Sequence, residues 1–106
     1  MKTAQLITRF VNNSFSLMSE VRNNFNRQGF SDEISYRDSM HNALCEVRGI
    51  CNTTLTNLES LEEEVNSDKL LADIAIGYNL VKERWHDINN DIESRFEANL
   101  QKPIFH

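Results

Sequence analysis

The chain has 106 residues with only three glycines and one proline, and its formal net charge is −5. That length supports one domain, no apolar run approaches the roughly 18 residues that a membrane span requires, and an acidic chain with dispersed Lys and Arg lacks the clustered cations that phosphate-backbone binding draws on, so no direct nucleic-acid binding is expected. The opening MKTAQLITRFVNNS is broken by polar residues every few positions and has no h-region of a signal peptide, so the chain reads as cytoplasmic.

The first segment carries Ile7, Val11, Ser14, Met18, Val21 and Phe25 at gaps alternating between three and four, widened on one side by Leu6, Phe10 and Leu17. This is the seam of an amphipathic helix over about 3–28, with Thr3 as its N-cap. Gly29 follows Arg27 and Gln28 and suits a left-handed residue after a basic last turn. Ser31, Asp32 and Glu33 then supply an N-cap and an acidic first turn for the next helix.

A second seam, Met40, Leu44, Val47, Cys51, Leu55, Leu58, Leu61 and Val65, predicts a helix over about 32–65, with Ala43 and Ile50 beside it. Continued in phase it would reach 68 or 69, 72 and 76, whereas the next apolar set falls at 71, 74 and 78. The phase slip predicts a turn in place of one straight rod. Asn66 is placed for the left-handed position, Ser67 for the cap and Asp68 for the first turn of a third helix. The third seam, Leu71, Ile74, Tyr78, Val81, Trp85, Ile88, Ile92, Phe96 and Leu100, predicts that helix over about 68–101, closed by Pro103 before the tail Ile104, Phe105 and His106. The expected fold is all-α, an antiparallel three-helix bundle with long coiled-coil-like helices. Pairing of two copies into a larger bundle is a further expectation, since a chain this short builds a modest core.

Charge is unevenly divided. Residues 1–30 hold Lys2, Arg9, Arg22 and Arg27 against Glu20, a balance of +3, whereas residues 31–66 hold eight acids against two bases, a balance of −6. The first helix is therefore expected to attract the second. The densest cluster is Glu59, Glu62, Glu63 and Glu64. Such a run reads either as a solvated helix face or as a docking site for a basic partner protein. Thirteen asparagines, mediocre helix formers, mean that these helices depend on packing, and the bias suits an AT-rich genome such as that of a phage or a low-GC bacterium. Asn12 and Asn52 match the glycosylation acceptor pattern but lie inside predicted helices.

Motifs for chemistry are sparse. Cys45 and Cys51 stand about 9 Å apart along one helix, too far for a disulfide, so both are read as free thiols, with Cys51 in the core and Cys45 just off it. Glu83 and His86 form the Glu-x-x-His spacing of carboxylate-bridged metal bundles, but the second pair and the further carboxylates are missing. His41 and Cys45 are one turn apart without a third or fourth ligand. No metal or cofactor is expected. All-α nucleotide pyrophosphohydrolases hold magnesium with a Glu-x-x-Glu pair on one helix and a Glu-x-x-Asp pair on the next. Glu59 and Glu62 satisfy the first half, while Glu83 has His86 three on and Asp87 four on, so that the second half fails.

Surface remains as the carrier of function. Ala72, Ile76 and Leu80 form a short stripe rotated away from the third seam, a candidate self-association face, and Phe15, Ile104 and Phe105 have no assigned place. Short acidic helical chains without motifs are similar in architecture to secretion chaperones, bacterial adaptors and phage-encoded inhibitors, a likeness that does not fix function. The reading adopted is a non-enzymatic protein-binding protein that engages its partner through an acidic helical surface. The alternatives are a magnesium-dependent nucleotide hydrolase and a structural assembly subunit.

Overall fold

The computed structural model describes residues 2–30 and 32–100. Three helices account for nearly all of them: α1 (Lys2–Arg27), α2 (Glu33–Glu62) and α3 (Asp68–Leu100), each packed against the other two. The chain runs up, down and up. Gln28 on the first leg meets Ser39 on the second, Tyr36 meets Asn99 and Glu59 meets Tyr78, so α2 is antiparallel to both neighbours. Phe15 lies under Arg84 and Arg22 beside Asp91, so α1 and α3 run parallel. The result is a rod of 59 × 16 × 15 Å, of which α3, the longest helix, spans about 50 Å at the helical rise.

The first seam is buried as read, with Ile7, Val11, Ser14, Met18 and Phe25 inside and Val21 half-buried. Ser14 is tolerated there because its hydroxyl donates to the Val11 carbonyl at 2.7 Å. In α2 the buried line is Tyr36, Ala43, Val47, Cys51, Thr54, Leu58 and Leu61. Met40, Leu44 and Leu55, expected at the centre, are only half-buried. A helix gripped from two sides buries a wider arc than a two-stranded seam, and its midline runs through Ala43 and Thr54, where small side chains admit both neighbours. The Thr54 hydroxyl donates to the Ile50 carbonyl at 2.8 Å. In α3 the buried line is Ile74, Gly77, Val81, Ile88, Ile92 and Phe96, while Leu71, expected in the seam, is exposed at the rim where α2 has already ended.

The helix ends differ from expectation in several places. Among the described residues no backbone is left-handed, so neither Gly29 nor Asn66 terminates a helix in that way. At the first turn the reversal is closed by an aromatic clasp: Phe30 lies 6.4 Å from Phe25 and 4.7 Å from Tyr36, ring centre to ring centre, and Phe96 lies 4.7 Å from Tyr36 on the other side. Asp32 caps α2, its carboxylate accepting from the Ser35 backbone N–H at 2.7 Å, and Glu33 makes the acidic first turn. Ser31, Pro103, Ile104, Phe105 and His106 lie outside the described residues. At the second turn α2 stops three residues before the expected 65, and Glu63 is its cap in ordinary right-handed conformation. Val65, beyond the helix, still packs on the core. Ser67 caps α3 as expected, accepting from Leu71 N–H at its carbonyl (3.0 Å) and from Leu70 N–H at its hydroxyl (3.4 Å). Thr3 lies within α1, which already includes Lys2. The attraction expected between α1 and α2 is not expressed as an ion pair among the described residues: Arg22 turns to Asp91 on α3 at 3.7 Å, and Asp91 also holds Arg95.

Gly77 packs tightly against α1. A β-carbon there would stand 3.0 Å from Val11 Cγ2 and 3.5 Å from Ile7 Cγ2, whereas a β-carbon on Gly49 would meet nothing within 4 Å. Gly49→Ala should therefore stabilise the fold by about 0.5–1 kcal/mol through helix propensity alone. Gly77→Val should destabilise it by about 1–3 kcal/mol by overpacking. Urea unfolding with an unchanged m-value checks both, and a stabilised Gly77→Val chain contradicts the packing described.

Candidate functional site

The acidic cluster and the aliphatic stripe, distant in sequence, are brought to one end of the rod by the turn between α2 and α3. Glu59, Glu62 and Glu63 line an open groove of about 480 Å³ with Ala75, Tyr78 and Asn79 of α3. Glu64 follows, exposed, just past the helix. On α3, Ala72 and Ile76 each lie three residues before a groove residue, Ala75 and Asn79, so the stripe continues directly from the groove wall. Ile76 is 58% exposed and Leu80 43%, and Ala72 is exposed beside them.

Electrostatics at this end is one-sided. None of Glu59, Glu62, Glu63 or Glu64 makes an ion pair among the described residues, and the last turn of α2 contains no base. Carboxylates there face the negative end of the helix dipole, an unfavourable placement that solvent weakens because all four are exposed. Glu59 also repels Glu62 and Glu63 one turn on. Local relief comes from the Tyr78 hydroxyl, which donates to Glu59 Oε1 at 3.3 Å. Partial desolvation, then the hydrogen bond to Glu59 and the charges of Glu59 and Glu62, hold the Tyr78 phenol above its ordinary range. Lys82 lies over the Tyr78 ring, 5.6 Å from its centre.

The remaining candidates fall elsewhere. Glu83 and His86 are both exposed, and the His86 ring leans on Trp85 at 4.7 Å. Glu83 and Asp87 lie beyond Tyr78 on α3 and do not line the groove of Glu59 and Glu62. Among the described residues no three His, Cys, Asp or Glu side chains converge as a cation site. His41 and Cys45 share a shallow groove of about 320 Å³ with Leu44, Arg48, Trp85 and Asn89. Phe15 is not a free apolar group: it packs against the core under the Arg84 guanidinium, 4.4 Å from its ring centre. Sequence reasoning missed a wider groove of about 600 Å³ between α1 and α2, walled by Phe10, Leu17 and Ile50. Gly49 also lines it, and a β-carbon there would meet nothing within 4 Å. It also missed Ile34, 74% exposed on the first turn of α2. No family model, curated protein or solved structure matches this chain.

Both cysteines are free, Cys45 exposed and Cys51 buried. Burial pushes the Cys51 thiol up, partly offset by the positive charge of Lys82. A thiol reagent should modify one cysteine rapidly in the native protein and the second only on unfolding, and Cys45→Ser should abolish the fast phase. The raised values of Tyr78 and Cys51 give a pH dependence with a definite sign. Unfolded chains lose these protons first, so above the ordinary thiol and phenol ranges the unfolded state binds fewer protons and stability falls as pH rises. Alkaline titration of urea midpoints checks this, and Glu59→Gln should bring the Tyr78 phenol partway back toward its ordinary value.

Proposed function

We propose that this chain is a non-enzymatic protein-binding bundle whose acidic α2–α3 end engages a partner protein with a basic surface. The observation that carries the reading is the placement of Glu59 and Glu62 in the last turn of α2 and of Glu63 at its cap, where helix dipole and mutual repulsion both disfavour them. Carboxylates gathered there without an ion pair among the described residues leave their charge open to a cationic partner. The balance of −6 over residues 31–66 adds a long-range field that steers a basic surface toward this end. An assembly subunit would also expose apolar groups, but its surface gains nothing from an uncompensated acidic end. A nucleotide hydrolase is disfavoured because the carboxylate pair at Glu59 and Glu62 faces Ala75, Tyr78 and Asn79 and no second acidic pair.

The test has two readouts with opposite signs. The variant Glu62→Lys/Glu63→Lys should unfold at higher urea than the wild type, by about 0.5–2 kcal/mol for two end-of-helix reversals. In a pull-down read by quantitative mass spectrometry, the same variant should lose the proteins that wild-type bait retains at low salt. Equal retention by both baits removes this end from consideration. Turnover of any nucleoside triphosphate with Mg²⁺ or Mn²⁺ that disappears in Glu59→Gln would replace this reading with the hydrolytic one.

A further inference from the structure

The aliphatic stripe and its rim together specify what kind of surface fits them. Ile76 points almost directly away from the core residues Ile74 and Val81, and with Ala72 and Leu80 it forms a ridge about two turns long on the outer face of α3. Carboxylates border this ridge on two sides: Glu59, Glu62 and Glu63 across the groove, and Glu83 and Asp87 on the next turns of the same face. None of these five is ion-paired among the described residues. The nearby cations are largely engaged, Lys69 with Asp73 at 3.7 Å, Arg84 over Phe15 and Lys82 over Tyr78.

Resting on the reading of the acidic end given above, we infer that the partner presents a basic amphipathic helix. Its apolar face covers Ala72, Ile76 and Leu80, and its Lys or Arg side chains reach Glu59, Glu62 and Glu63 along one flank and Glu83 and Asp87 beyond the end of the ridge. Charge decides among the occupants. A second copy would bring the same uncompensated rim against itself, and like charges facing across an interface are costly. An anionic lipid surface would be repelled for the same reason. A basic helix meets both demands, since apolar anchors at one-turn spacing match the ridge and a cationic border matches the rim. The ridge is small, so the contact is an anchor ringed by charge and not an obligate interface.

The test uses fluorescence anisotropy of three labelled helical peptides of equal length: leucine and lysine in amphipathic order, the same pattern with glutamate for lysine, and a lysine helix with no apolar face. The first should bind the full chain with an affinity that falls as salt is raised, and the other two should bind at least about tenfold more weakly, the loss expected when an anchor or its rim is removed. Ile76→Ser/Leu80→Ser, at exposed positions, should weaken the first peptide by about tenfold or more. Glu62→Lys/Glu63→Lys should do the same, and Glu93→Lys/Glu97→Lys, at the other end of α3, should not. Loss with the glutamate reversal but not with the serine pair overturns the apolar anchor and leaves the acidic-end reading standing. Loss with neither overturns both. Light scattering that shows a dimer dissolved by Ile76→Ser/Leu80→Ser assigns the ridge to a second copy and overturns the inference.

Discussion

Three helices in this chain share one column of side chains, and every other feature is arranged around it. Met18 of α1, Val47 and Leu58 of α2, and Ile74, Val81, Ile88 and Ile92 of α3 are sealed from solvent along a rod only 15–16 Å across. A core this narrow has no second layer, so each helix relies on both of the others and none is replaceable by solvent. The same constraint explains why small residues occupy the closest contacts. Gly77 lets α1 reach α3, Ala43 and Thr54 let α2 lie between its neighbours, and Ser14 is accepted because it closes its hydrogen bond within its own helix.

The helices were legible because their apolar spacing is a property of each segment alone. Ile7 to Phe25 on α1 and Ile74 to Phe96 on α3 follow the burial that the spacing implies, with Tyr78 and Trp85 at the edge. What the spacing does not contain is the angle at which two other helices meet α2. The midline there shifted from Leu44 and Leu55 to Ala43 and Thr54, since apolar content favours the large residue while steric fit between two partners favours the small one. Helix ends were less legible still. Gly29 and Asn66 are residues that permit a left-handed stop, but permission is not requirement. Phe30 packing on Phe25 and Tyr36 closes the first turn without it, and the second closes through Glu63 in right-handed conformation and the Glu64 N–H donating to the Leu61 carbonyl.

The candidate site was half legible. Glu59, Glu62, Glu63 and Glu64 are a charge cluster in any reading of the chain, and Ala72, Ile76 and Leu80 stand out from the third seam by rotation. That the two belong to one surface depends on where α2 stops and how tightly the chain turns, which only the folded arrangement supplies. The groove between α1 and α2 was not legible, because Leu17 had been absorbed into the first seam and an exposed glycine leaves no pattern of its own. Local stability and surface character are opposed at the acidic end: the residues that give it a field are those that the end of α2 accommodates worst.

The hydrogen bond from the Asn99 amide to the Tyr36 hydroxyl, 2.8 Å, ties the last turn of α3 to the first turn of α2 beside four packed aromatic rings. With Arg37 over the Phe96 ring on its outer side, that end of the rod is fastened at three chemically different points. Toward the opposite end the tie between α2 and α3 is the longer hydrogen bond from the Tyr78 hydroxyl to Glu59, 3.3 Å, beside an exposed Leu71 and carboxylates that make no ion pair among the described residues. Local opening is easiest where buried contacts are few, so amide protection should decline along the rod from the aromatic to the acidic end. The two ends of the rod would then differ in local stability as well as in charge.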